Sequence, residues 1–230
     1  PVIDQLQEHG RTFRGWLGVK IQHVTEEIAE SVGLNRDYGA LVLDISKGSP
    51  AEESDLKSGD IILNFDDKEV AEMRKLPRIV AETEIGKKVD VLFWRDGKKR
   101  RTSITLGELD ETEQAAANPT TQQPKTKGEQ ETANLLGMDL ITITSEIIAR
   151  YTLPKDSKGI LIVGITSNSS ASSQNIRKGD IITRVNDKKV TTMIELETAL
   201  KALNKAGRDH ALVRLKREEN HLFIALPTAW

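Results

Sequence analysis

The side chains with chemistry to offer in this chain are few. His9, His23, His210 and His221 are its four histidines, and none stands with a glycine-flanked serine that it could activate. A serine hydrolase needs a nucleophile, a base, an orienting acid and an oxyanion hole. Ser49 and Ser169 instead open Ser-Pro-Ala and Ser-Ser-Ala runs that read as starts of short helices. The pairs Gly59-Asp60 and Gly179-Asp180 read as tight turns whose aspartates bond backbone amides, not as catalytic or metal-binding carboxylates. There are no cysteines, which excludes disulfides, thiolate zinc sites and cysteine nucleophiles. No His-x-x-x-His pair and no phosphate-cradling glycine loop occurs. The basic run from Lys98 to Arg101 follows a hairpin turn and reads as a solvated tip. The chain is thus expected to be no enzyme by itself, with no metal and no cofactor.

Composition narrows the partners. Aromatic residues make up 4%, too few for a stacking platform on single-stranded nucleic acid. The net charge of −2 gives no electrostatic reason to expect nucleic acid or an anionic membrane. No apolar run approaches the ~18–20 residues of a transmembrane helix. Length suits two domains of ordinary size. Between residues 110 and 134 the only apolar side chains are alanines, set among Thr, Gln, Glu and Lys with Pro119, Pro124 and Gly128. Such a segment buries too little to offset its ordering entropy and is expected to be a flexible linker.

The halves on either side repeat each other. Gly59-Asp60-Ile61-Ile62 returns as Gly179-Asp180-Ile181-Ile182, and Asp67-Lys68 before Val70 returns as Asp187-Lys188 before Val190. Ser49-Pro50-Ala51 matches Ser169-Ser170-Ala171, and Trp16-Leu17-Gly18-Val19 matches Leu135-Leu136-Gly137-Met138. An ordered series at a nearly constant offset marks a duplicated domain. In the first copy the spacing predicts strands over residues 16–24, 40–45, 60–65, 89–94 and 101–106. Helices are predicted from Thr25 to a stop at Gly33, over 49–56 and over 74–82, with Pro77 in the opening turns of the last. Asp96-Gly97 suits a type I′ hairpin turn. The second copy predicts strands over 140–144, 160–165 and 180–185, helices over 146–151 and 194–205, and a closing hairpin over 211–226. The expected class is mixed α+β, mostly β: two partly open barrels capped by helices.

An apolar–Gly–apolar strand start followed by Gly-Ser-Pro-Ala and Gly-Asp-Ile-Ile runs, duplicated across a linker, resembles a tandem pair of PDZ domains. The arrangement is similar to the C-terminal part of the HtrA (Deg/Do) family of periplasmic serine proteases. It is closest in the first copy; in the second, Ser170 replaces the usual proline. The resemblance implies that residues 1–13 end a preceding protease domain or linker, that 14–109 and 135–230 are PDZ-like domains, and that 110–134 tether them. It also implies that a peptide C-terminus adds as a strand to a sheet edge. Loop amides would hold its carboxylate, with Gly18 and Gly137 letting the backbone approach. Leu17 and Val19, like Leu136 and Met138, would floor the pocket. Leu76, Ile79 and Val80, and in the second copy Leu196, Ala199 and Leu200, would form its wall. Trp16 adjoins the first loop, and Arg14 would bring positive charge to it.

The implied function is recognition of hydrophobic C-termini or extended segments of misfolded envelope proteins. The modules would regulate or assemble an HtrA-like protease-chaperone, touching its protease domain and neighbouring subunits in the bacterial periplasm. The alternative is a non-proteolytic tandem-PDZ adaptor or secretion component.

Overall fold

The computed structural model describes residues 15–108, 133–167, 169, 171–172 and 174–229. Among them the Cα positions divide into two compact units, one holding 15–24 and 38–108, the other 25–37 and 133–229. The predicted tether lies outside the described residues except for its last two positions.

The first unit is built on strands β1 (Gly15–Trp16), β2 (Val19–His23), β3 (Ala40–Ile45), β4 (Ile61–Phe65), β5 (Lys68–Glu69), β6 (Lys88–Arg95), β7 (Lys98–Thr105) and β8 (Gly107–Glu108); β2 alternates apolar and polar positions, while β3 and β4 are short apolar runs. The main sheet runs β2-β3-β4-β6-β7, with β5 paired to β4, while β1 and β8 form a separate two-stranded ribbon. The β6–β7 hairpin turns at Asp96 and Gly97, both at positive φ (53° and 74°), as the sequence predicts. Helix α1 (Glu26–Ser31), in the segment 25–37 that divides with the second unit, starts at Thr25, whose hydroxyl accepts from the Ile28 amide. Helix α2 (Lys75–Ala81) carries Pro77 in its first turn, where the missing amide costs no helical hydrogen bond. The sheet and α2 enclose a core that includes Leu17, Val42, Ile62, Phe65, Leu76, Val91 and Phe93.

The helix expected over 49–56 is instead a chain of tight turns. Its backbone bonds span three residues (Glu52 N–H to Ser49 C=O, Ser54 N–H to Ala51 C=O). The Ser54 hydroxyl donates to the Ala51 carbonyl and accepts from the Leu56 amide. Serine side chains bonding locally in this way compete with α-helix formation.

The second unit repeats the plan with β9 (Ala133–Leu135), β10 (Met138–Thr142), β11 (Ile160–Ile165), β12 (Ile181–Val185), β13 (Lys188–Lys189), β14 (His210–Arg217) and β15 (Asn220–Pro227). Helix α3 (Ser145–Tyr151) is capped by Thr144. Helix α4 (Met193–Lys205) opens with a reciprocal capping box between Thr192 and Glu195. The sheet runs β15-β14-β12-β11-β10-β9, with β13 on β12. Neither sheet closes on itself, so both units are mostly β and open.

Both glycine–aspartate turns behave as expected and gain a partner. Asp60 accepts the Lys57 amide (2.7 Å) and grips Arg95 through both oxygens, each at 2.6 Å. Asp180 accepts the Arg177 amide (2.9 Å) and grips Arg217 twice at 2.7 Å. Burial pushes the Asp60 carboxyl up, while the guanidinium and the Lys57 amide pull it down. These aspartates are clamps that fasten the turn before β4 and β12 to the closing hairpin.

Candidate peptide-binding site

The loop between β1 and β2 is held from one side. The Ala51 amide donates to the Leu17 carbonyl (3.0 Å), and the Ser46 amide donates to the Gly18 carbonyl (2.8 Å). A trans peptide points its N–H opposite its C=O, so the Gly18 and Val19 amides face away from that turn. Consecutive amides on one face of a loop form a concavity suited to a carboxylate. Gly18 has φ +78°, and a Cβ there would sit 2.0 Å from Ser49 Cβ. The sequence reading gives this glycine to ligand clearance; the structure requires it for the Ser49 contact and the left-handed backbone. The same holds at Gly137, φ +80°, whose Cβ would meet Ser169 Cβ at 2.2 Å.

Beside the loop, β2 ends its sheet: β3 takes one edge, and no strand among the described residues takes the other. Val19 and Ile21, on the same face of β2, are half-buried against the core that also holds Leu76, Ile79 and Val80 of α2. Leu17 and Leu76 are sealed, at 3% and 1% exposure, and support the groove from beneath; Ile79 and Val80 keep 8% and 7%. Little apolar surface is thus left open beside this edge: Val19 and Ile21 are half-buried on β2, and Ile79 and Val80 show only their rims on α2. Ile21 was legible from its alternation with Leu17 and Val19, but was not among the expected site residues.

Trp16 plays a different part from a lining residue. A Cβ on Gly18 would come within 3.3 Å of Trp16 Cζ2, and one on Gly107 within 3.7 Å of Trp16 Cε3 and 3.1 Å of Pro50 Cγ. The indole thus packs beside the loop between two glycines. Gly15, which sequence reasoning missed, admits β1 to the end of α2: a Cβ there would lie 2.4 Å from the Val80 carbonyl oxygen. Arg14 lies outside the described residues.

In the second unit the equivalent residues are placed otherwise. Met138, Leu196 and Leu200 are fully buried, and Ala199 nearly so, within one core; Leu136 is half-buried against it. Leu136 and Gly137 both take positive φ, 55° and 80°, and make a two-residue turn that folds β9 onto β10. The structure joins Leu136 to this turn and Met138 to the sealed core, so the pocket floor expected from them is not an open one.

The sequence matches the PDZ domain family over residues 15–106 and again over 134–227. It is 32% identical over 98% of its length to a probable periplasmic serine endoprotease DegP-like of Rhizobium meliloti, and 35% identical over 97% to one from a Marinomonas species. The chain spans 43% and 44% of the length of those relatives. A solved HtrA-type protease, AlgW with decapeptide, is 35% identical over 47% of this chain and 34% of its own, with a TM-score of 0.44. Two matches that together cover most of the sequence make this chain a member of the PDZ domain family, with two copies in tandem.

Proposed function

We propose that the chain is the peptide-reading part of an HtrA-like periplasmic serine protease, and that its first unit is the main receptor. The carrying observation is the open outer edge of β2 beside a loop whose Gly18 and Val19 amides face outward. A peptide lying antiparallel on that edge gains main-chain hydrogen bonds, while Val19, Ile21, Ile79 and Val80 offer its last side chain an apolar seat. Such a reader takes hydrophobic C-termini of misfolded envelope proteins and passes that signal to a protease domain in the same protein. The similarity to DegP-like endoproteases over 98% and 97% of this chain supports the parent and its compartment.

Matched synthetic peptides ending in a branched apolar residue, one a free acid and one an amide, test this by fluorescence polarisation. Charge-assisted bonds to a carboxylate are worth about 1.5–3 kcal/mol each, so amidation weakens binding roughly tenfold or more. Equal affinity for both forms overturns the reading. Ile79→Asp is expected to abolish the preference for an apolar final residue.

A further inference from the structure

We propose that the groove of the second unit is occupied in cis, by residues 133–135 of this chain acting as a built-in ligand. The proposal rests on the reading of the strand edge beside the capping helix as the peptide seat. In the first unit that edge of β2 is open, and β1 pairs with β8 (Gly15 with Glu108, Trp16 with Gly107). In the second unit β9 lies on the corresponding edge of β10, joining Leu135 to Met138, Asn134 to Asp139 and Ala133 to Leu140. Its direction is that of a bound peptide, antiparallel to β10 with its C-terminal end at the loop. Leu135 stands where the last ligand residue belongs, buried in the core that holds Leu196, Ala199 and Leu200 of α4. A side-chain bond from Asn134 Nδ2 to Asp139 Oδ1 (2.9 Å) fastens the strand at its middle.

The cause of the difference is local. Trp16 lies beside Gly107 of β8, which leaves room for the indole by having no Cβ, and β8 supplies a pairing partner. The position equivalent to Trp16 is Leu135, small enough to enter the core. After β15 the chain is tied down elsewhere: the Thr228 amide donates to the Asp209 carbonyl, and Asn204 Nδ2 donates to the Thr228 hydroxyl. Among the described residues no strand follows β15, and the incoming segment pairs with β10. A peptide reaching this groove must first displace residues 133–135, so the second unit responds only when the segment before it is drawn away.

The test uses the full chain, its Ala133→Pro/Asn134→Asp variant, and a synthetic heptapeptide copying residues 129–135 with a free C-terminal carboxylate. Proline removes a ladder donor, and the new aspartate faces Asp139. In a ladder closed by a two-residue turn the flanking pair and every second pair exchange hydrogen bonds, so the Met138 and Leu140 amides of the native chain are expected to resist hydrogen exchange. The variant is expected to lose that protection and bind the peptide at least tenfold more tightly, as read from amide shifts over 138–142. Rapid exchange at Leu140 in the native chain overturns the proposal while leaving the first unit's acid-versus-amide result untouched. Retained protection in the native chain with no affinity gained on release also overturns it, since β9 is then only a strand of the fold. A failure of the peptide reading itself appears separately, as indifference of the 19–23 amides to acid and amide peptides alike.

Discussion

Two residue-level contacts carry most of the loop and turn geometry. Gly18 combines a left-handed backbone with a 2.0 Å approach of its absent Cβ to Ser49. Gly18→Ala is therefore expected to destabilise the first unit by about 1–3 kcal/mol, a melting-temperature drop of several degrees. Ser49→Gly in the same chain is expected to restore part of it by removing the opposing Cβ. A bulky residue at Gly18 is consequently a poor probe of peptide binding, because it disturbs the loop before any ligand arrives. Asp60, 1% exposed, presents the second case. Arg95→Leu leaves its carboxylate buried without the guanidinium, at a cost of about 3–5 kcal/mol by denaturant melting. Asp60→Asn added to Arg95→Leu is expected to recover part of that loss, and Arg217→Leu to reproduce the effect on Asp180.

At the scale of elements, the strands and the longer helix were readable because their causes are local. Alternation marks β2, short apolar runs mark β3 and β4, and Asp96-Gly97 marks the hairpin. The turns over 49–56 were not readable as such, since a serine that bonds its neighbours' backbone has the same sequence signature as a serine that caps a helix. Arg95 and Arg217 were missed because the strand carrying each lies 35 and 37 residues from its aspartate. The groove was half legible: composition indicates apolar walls, but whether Leu76 or Ile79 meets solvent depends on how closely α2 packs. Helix α4 offers its own test. The Glu195 carboxylate accepts from the Thr191 and Thr192 amides, and these bonds, Thr191's first, hold it below the usual glutamate range. A depressed folded-state value adds stability above the ordinary glutamate pKa and loses it as pH falls through the depressed one. Protection of the first turn of α4, taken relative to intrinsic exchange at each pH, is thus expected to fall on acidification, and Glu195→Gln to flatten that dependence.

Across the whole molecule, duplication preserved the scaffold and let the edges diverge. Each copy keeps its aspartate–arginine clamp, its glycine against serine and its helix over the sheet. What differs is which strand the incoming chain pairs with, β8 in the first copy and β10 in the second, and no residue pattern announced that. The sequence contains no glycine-flanked serine with a histidine partner, so the purified chain is expected to leave unfolded casein intact. Cleavage that vanishes on mutating one of the chain's own serines overturns that expectation. The indole of Trp16, wedged beside Gly18, also gives the molecule an optical signal. The chain has three tryptophans, and Trp94 lies in β6 paired with Ile61 while Trp230 is the final residue. With those two changed to phenylalanine, emission comes from the first loop alone, because leucine holds the matching place in the second copy. Occupancy of one receptor can then be followed by fluorescence in real time, without a label on either the peptide or the protein.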